Sequence, residues 1–133
     1  MTDVVVSEFM DETALSSELS DFDVLYDPKL VDQPDALRDA LTNARAIIVR
    51  NRTQVNEDLL SRAPNLKAVG RLGVGLDNID LDACAARGIA VFPASGANDS
   101  SVAEYVITAA TVLLRGAWFG SELVANGSWP RTQ

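Results

Sequence analysis

Leu66-Lys67-Ala68-Val69-Gly70-Arg71-Leu72-Gly73-Val74-Gly75-Leu76-Asp77-Asn78-Ile79-Asp80 is the stretch whose reading decides the fold. A strand-like run from Leu66 to Leu72 opens onto Gly73 and Gly75. The chain then turns through Asp77-Asn78, and Asp80 caps a helical pattern that Gly88 stops. Glycines at a strand end let backbone N–H groups approach a ligand with no side chain in the way. A strand, a glycine-rich turn and a helix in that order form most of a βαβ unit.

The flanking sequence repeats this alternation. Val4-Val5-Val6 reads as a first strand, and Glu8 to Leu19 as a helix with Leu15 and Leu19 four apart. Phe22 to Tyr26 is a second strand, closed by Asp27-Pro28. Pro34 suits the first turn of a helix running to about Asn43, with Leu37 and Leu41 on one face. Ala46-Ile47-Ile48-Val49 is a short, fully apolar third strand. Asn56 caps a helix that ends before Pro64. Ile89 to Phe92 is a fifth strand, ended by Pro93. Five short apolar strands alternating with helices imply a parallel sheet covered on both faces. The expected architecture over residues 1–95 is α/β: a flavodoxin-like, doubly wound, five-stranded sheet of order 2-1-3-4-5. Ligands of such sheets sit at the carboxyl ends of the strands, near the point where the order reverses.

Beyond residue 95 the pattern changes. A loop over 93–98 leads to a long helix with Ser101 and Glu104 at capping-box spacing. That helix is apolar nearly all round from Val102 to Leu114, so it is expected to bury itself in something. A second helical stretch covers about Trp118 to Asn126. Residues 96–133 are therefore read as a second segment, separate from the first.

Composition narrows the function classes. The hydrophobic share of 47% is that of a globular chain. The net charge of −8 is concentrated early: residues 1–44 carry eleven acids and two bases, the rest eight acids and nine bases. This balance argues against nucleic acid and anionic membranes as partners, and the acidic face is read as solvated. With no histidine, the commonest general base and metal ligand is missing, and no metal site is expected. Cys84, the one cysteine, sits among alanines and reads as a small buried thiol. The first residues lack a basic start and a long apolar run, and the apolar run 102–114 is too short to span a bilayer. A cytoplasmic location is the expectation.

Arg50-Asn51-Arg52, at the end of the third strand, brings positive charge beside the glycine loop, because strands 3 and 4 are neighbours. Arginine suits carboxylate and phosphate recognition. Successive strand residues point to opposite sides, so Arg50 and Arg52 face one ligand only if the backbone has already turned. Arg71 is expected in a local ion pair with Asp77 or Asp80, and the two aspartates in turn formation and capping. Gly73-x-Gly75 by itself is either a tight strand-to-helix turn or an anion cradle. It is not a dinucleotide fingerprint, because the third glycine position holds Asn78. A phosphorylation receiver needs an acceptor aspartate where Arg50-Asn51 stand, and a flavodoxin needs a phosphate loop where Ser7-Glu8-Phe9 stand.

Several spaced motifs carry a family resemblance: Val49-Arg50-Asn51-Arg52-Thr53, Val69 to Asp80, Arg87-Gly88-Ile89-Ala90-Val91, and Asn98 to Tyr105. Together they resemble the D-isomer-specific 2-hydroxyacid dehydrogenases, most of all the D-3-phosphoglycerate dehydrogenase branch. The resemblance implies an NAD-dependent oxidoreductase that interconverts a D-2-hydroxyacid and its 2-oxoacid. It assigns substrate binding to Arg50, Asn51 and Arg52, and to the backbone of Leu72, Gly73, Val74 and Gly75. It places Asn98 and Val102 near the nicotinamide. It marks residues 1–95 as the substrate domain and 96–133 as crossover and dimerisation helices of a truncated nucleotide-binding domain, with a homodimer forming through 100–126. The family's catalytic arginine, glutamate and histidine find no match here. The expectation is a chain that binds a small anionic 2-hydroxyacid or 2-oxoacid but does not turn it over alone. The alternative is a non-catalytic small-anion-binding or self-association module.

Overall fold

In the computed structural model, which describes residues 2–129, five parallel strands form one sheet. They are β1 (Val4–Val6), β2 (Val24–Tyr26), β3 (Ala46–Val49), β4 (Ala68–Arg71) and β5 (Ala90–Pro93). Their order is β2-β1-β3-β4-β5, the order expected from the sequence. The helices are α1 (Glu12–Glu18), α2 (Pro34–Leu41), α3 (Glu57–Ser61), α4 (Leu81–Ala86), α5 (Asp99–Leu114) and α6 (Ala117–Ala125). A single 3-10 turn, Leu30–Asp32, precedes α2. By compactness the chain divides into two units, with the break between Ser95 and Gly96.

Strand alternation sorts the core of the first unit into two layers. Val5, Ile47, Val49 and Val69 face α2, α3 and α4, where Leu37, Leu41, Leu59, Leu60 and Cys84 complete one buried cluster. Val4 and Val6 turn to the opposite face and meet Leu15 of α1. β1 is buried along its whole length, as befits an interior strand of a sheet covered on both faces. In register across the second face stand Val4, Ala46, Ala68 and Ala90, then Val6, Ile48, Gly70 and Phe92.

Helix starts follow the capping rules closely. Asp11 accepts the N–H groups of Thr13 and Ala14, Asn56 that of Leu59, and Asp80 that of Ala83. Two starts depart from the sequence expectation. α1 begins at Glu12, not Glu8, because the Glu8 side chain turns inward and is buried. α5 begins at Asp99 behind Asn98, so Ser101 and Glu104 lie inside the helix and make no capping box.

The second unit, α5 and α6, buries none of its side chains fully. Tyr105, Ile107, Leu114, Trp118 and Phe119 are all well exposed. Among the described residues no single helix is long and apolar enough to cross a membrane.

Candidate functional site

The strand order reverses between β1 and β3. The first residues past their carboxyl ends are Ser7-Glu8 and Arg50-Asn51. The backbone turns sharply after Val49. The turn Arg50–Thr53 wraps around the Glu8 carboxylate, which accepts the N–H groups of Arg50 at 2.9 Å, Thr53 at 3.0 Å and Arg52 at 3.1 Å. Burial pushes the Glu8 carboxyl up, but the hydrogen bonds from Thr53, Arg50 and Arg52 together hold it below the ordinary glutamate value.

Arg50 and Arg52, two residues apart in this turn, have different partners. The Arg52 guanidinium pairs with Asp32. Arg50 makes no ion pair among the described residues, and its guanidinium carbon lies 6.0 Å from the Phe9 ring centre. Asn51 is exposed between them. Glu8, Phe9, Pro28, Val31 and residues 50–52 line a cleft of about 290 Å³.

The glycine loop follows β4, next to this turn in the sheet. Its four residues are not equivalent. Leu72 donates its N–H to the Val49 carbonyl at 2.9 Å, and Gly73 donates to that of Arg71 at 2.9 Å. The N–H groups of Val74 and Gly75 have no acceptor among the described residues, so these two donors are unused within the protein. Gly73 has φ +151°, and a Cβ there would stand 1.5 Å from Nη1 of Arg71.

Arg71 is therefore not in the ion pair expected with Asp77 or Asp80. Asp80 is spent on the α4 cap, and the Arg71 guanidinium lies over Gly73 instead. Its Nε is buried without a hydrogen-bond partner. The loop thus carries a cation that spacing alone assigned elsewhere; only the absence of a Cβ at Gly73 hinted at the space it fills.

Asn98 and Val102 lie in the second unit, one turn apart, with Val102 donating its N–H to the Asn98 carbonyl at 2.9 Å. The Asn98 side chain makes no cap hydrogen bond. A dinucleotide pyrophosphate asks for a glycine-rich turn running straight into a helix N-terminus. Here Leu76–Asp80 separate Gly75 from α4, and the chain's own Asp80 carboxylate closes that helix start. The described residues do not form such a cradle. Among them, no group of His, Cys, Asp or Glu is arranged to hold a metal ion.

The fold, the arginine turn and the open N–H groups of Val74 and Gly75 are one constellation, and comparison with known proteins gives it a family. Residues 1–126 match the family model for the D-isomer specific 2-hydroxyacid dehydrogenase, catalytic domain. The chain belongs to this family. It is 53% identical over 131 residues to an (S)-sulfolactate dehydrogenase of Chromohalobacter salexigens, covering 98% of this chain and 42% of that protein. The crystal structure of the PH0520 protein from Pyrococcus horikoshii superposes with a TM-score of 0.81 at 27% identity, covering 97% of this chain and 38% of that one. An NAD+-bound 3-phosphoglycerate dehydrogenase of Entamoeba histolytica superposes with a TM-score of 0.66 at 27% identity, covering 80% of this chain and 37% of that one. The chain spans less than half the length of these dehydrogenase relatives.

Proposed function

We propose that this chain supplies the substrate-binding half of an NAD-dependent D-2-hydroxyacid dehydrogenase, and that its substrate carries a second anionic group, a sulfonate or phosphate, beyond the 2-hydroxyacid itself. The observation that carries this reading is the pairing of two unlike anion receptors on neighbouring strand ends. Val74 and Gly75 offer open backbone N–H groups to a planar carboxylate. Arg50 offers a guanidinium that no carboxylate neutralises among the described residues. Arg52, bound to Asp32, is the weaker candidate, and Asn51 lines the same cleft.

The relatives support the substrate class. In (S)-sulfolactate the sulfonate-bearing carbon outranks the carboxylate, so its S descriptor describes the same spatial arrangement as an R, or D, 2-hydroxyacid. The sulfolactate dehydrogenase and the phosphoglycerate dehydrogenases both name substrates with two anions. NAD is the cofactor of this reading, with Asn98 and Val102 close to the nicotinamide. This chain contributes orientation and charge neutralisation of the substrate. It has no histidine to move the hydroxyl proton, so turnover is not expected from it alone. A cytoplasmic enzyme belongs to the same reading.

Titration calorimetry with D-lactate and with 3-sulfolactate, at one ionic strength, tests this. Sulfolactate is expected to bind about tenfold more tightly or better, one charge-assisted contact being worth about that much. The Arg50→Ala variant is expected to abolish the difference. Equal binding of the two acids to the wild type overturns the reading.

A second reading concerns residues 100–126. The exposed Tyr105, Ile107, Leu114, Trp118 and Phe119 of α5 and α6 form more apolar surface than a monomer commonly leaves bare. We infer a homodimer through these helices. A monomeric mass by light scattering at micromolar concentration overturns it, and a dimer without any acid binding favours a self-association module instead.

A further inference from the structure

Open α/β sheets leave a crevice where the strand order reverses, and small ligands use it. In this sheet that crevice lies between β1 and β3, and the protein fills it from within. The Arg50–Thr53 turn aims three backbone N–H groups at one point, as an anion-binding nest does. The Glu8 carboxylate already occupies that point: Oε1 takes the N–H groups of Arg50 and Thr53, and Oε2 takes that of Arg52. Glu8 is only 5% exposed and pairs with no cation among the described residues, so the backbone N–H groups of the turn, helped by the Thr53 side chain, stabilise its charge.

The other side of the turn is held as well. The Asn78 side-chain amide donates to the carbonyl of Thr53 at 2.7 Å and to that of Arg50 at 3.3 Å. Ser7 Oγ and Thr53 Oγ1 share a buried hydrogen bond of 2.9 Å. The N–H groups of Arg50, Arg52 and Thr53 are therefore engaged on one side, and the carbonyls of Arg50 and Thr53 on the other. An incoming anion finds no free N–H at Arg50, Arg52 or Thr53; it meets the side chains of the cleft and, of the turn's N–H groups, that of Asn51 alone.

We propose that Glu8 is a positioning residue: its carboxylate takes the place of a ligand in the backbone nest and shifts the substrate's distal anion outward onto the Arg50 side chain. This rests on the reading that Arg50 receives the distal anion. Charge, not size, is the active property. Glutamine in the same place keeps the volume but offers one acceptor, and its amide N–H₂ would confront a backbone N–H. Aspartate is shorter by one methylene but keeps two charged acceptors.

The test is an NMR titration of the 15N-labelled 133-residue chain with sodium sulfate at constant ionic strength, for wild type, Glu8→Gln and Glu8→Asp. Backbone amides and the Arg50 Nε–H are followed, with amide hydrogen exchange measured in parallel. Glu8→Gln is expected to weaken sulfate binding about tenfold, the equivalent of one lost charge-assisted hydrogen bond. It is expected to speed exchange at the Arg52 amide while the β3 and β4 amides stay protected. Glu8→Asp is expected to recover most of both. Wild-type sulfate affinity and wild-type Arg52 exchange in Glu8→Gln overturn the proposal. So does a Glu8→Asp variant that is worse than Glu8→Gln, which would make Glu8 a space-filling residue. If the wild type shows no sulfate-dependent shift at Arg50, the anion reading itself falls and the positioning role with it. The exchange pattern then still reports whether the nest is built on charge.

Discussion

Asn78 and Thr53, 25 residues apart in the chain, are joined by a buried hydrogen bond of 2.7 Å from the Asn78 side-chain amide to the Thr53 carbonyl. The bond ties the loop after β4 to the turn after β3. The Asn78 carbonyl in turn accepts the N–H of Val55 at 2.8 Å. Asn78→Ala leaves two buried or half-buried carbonyls without their donor. It is expected to destabilise the fold by about 1–3 kcal/mol and to weaken anion binding as well. Urea unfolding and sulfate titration of the same variant check both.

Gly73 separates the strain of the loop from its charge. At φ +151° an added Cβ is conformationally strained, and the Arg71 guanidinium occupies the space it would take. Gly73→Ala is expected to cost about 1–3 kcal/mol and to displace Arg71. Gly88→Ala, equally left-handed at φ +66° but in open space, is expected to lose stability without losing anion affinity. Equal anion affinity in the two variants would count against Arg71 lying over the binding loop.

The two arginines of the β3 turn are expected to behave differently. Arg52 and Asp32 form an ion pair whose side chains are 58% and 62% exposed, a class of contact worth no more than about 1 kcal/mol. Asp32→Ala is therefore expected to leave the unfolding midpoint nearly unchanged. Arg50→Ala is expected to reduce sulfate affinity several-fold more than Arg52→Ala. The reverse order, measured by titration, would move the distal-anion site to Arg52.

Acid stability reports on Glu8. Its carboxyl is held below the value it has in the unfolded chain, where glutamate titrates at about 4.3. The native state therefore binds the ionised form more favourably. That contribution is complete above the unfolded value and is lost as pH falls through the folded one. As pH falls below about 4.3 the wild type is expected to lose stability with acidification more steeply than Glu8→Gln. Parallel urea midpoints across that range would show that the carboxylate makes no linked contribution.

Cys84 offers a probe of the core. Burial pushes its thiol up, and the Asp80 charge adds to this. It is expected to resist iodoacetamide in the native chain near neutral pH and to react once urea opens the α4 layer. Mass spectrometry reads the difference. Rapid labelling without denaturant would mean that α4 opens readily from the sheet.

The sequence by itself determined the sheet. Strand-length apolar runs, the cap residues Asn56 and Asp80, and the stop at Gly88 are local signals, and the chirality of βαβ crossovers converts their order into topology. The motif residues Arg50, Asn51 and Val69 to Asp80 also put the candidate site at the ends of β3 and β4, which are neighbours in the sheet. Tertiary structure alone decided how that site is wired. Glu8 looks, in sequence, like one more acid at the start of an amphipathic helix. Its partners are the N–H groups of Arg50, Arg52 and Thr53, 42 to 45 residues away, and backbone donors leave no mark on side-chain spacing. The same reason hid the difference between Leu72 and Gly73, whose N–H groups are used within the protein, and Val74 and Gly75, whose N–H groups have no acceptor among the described residues. Hydrogen-bond occupancy of the backbone is settled by which strands come together, not by the identity of the residues that carry it.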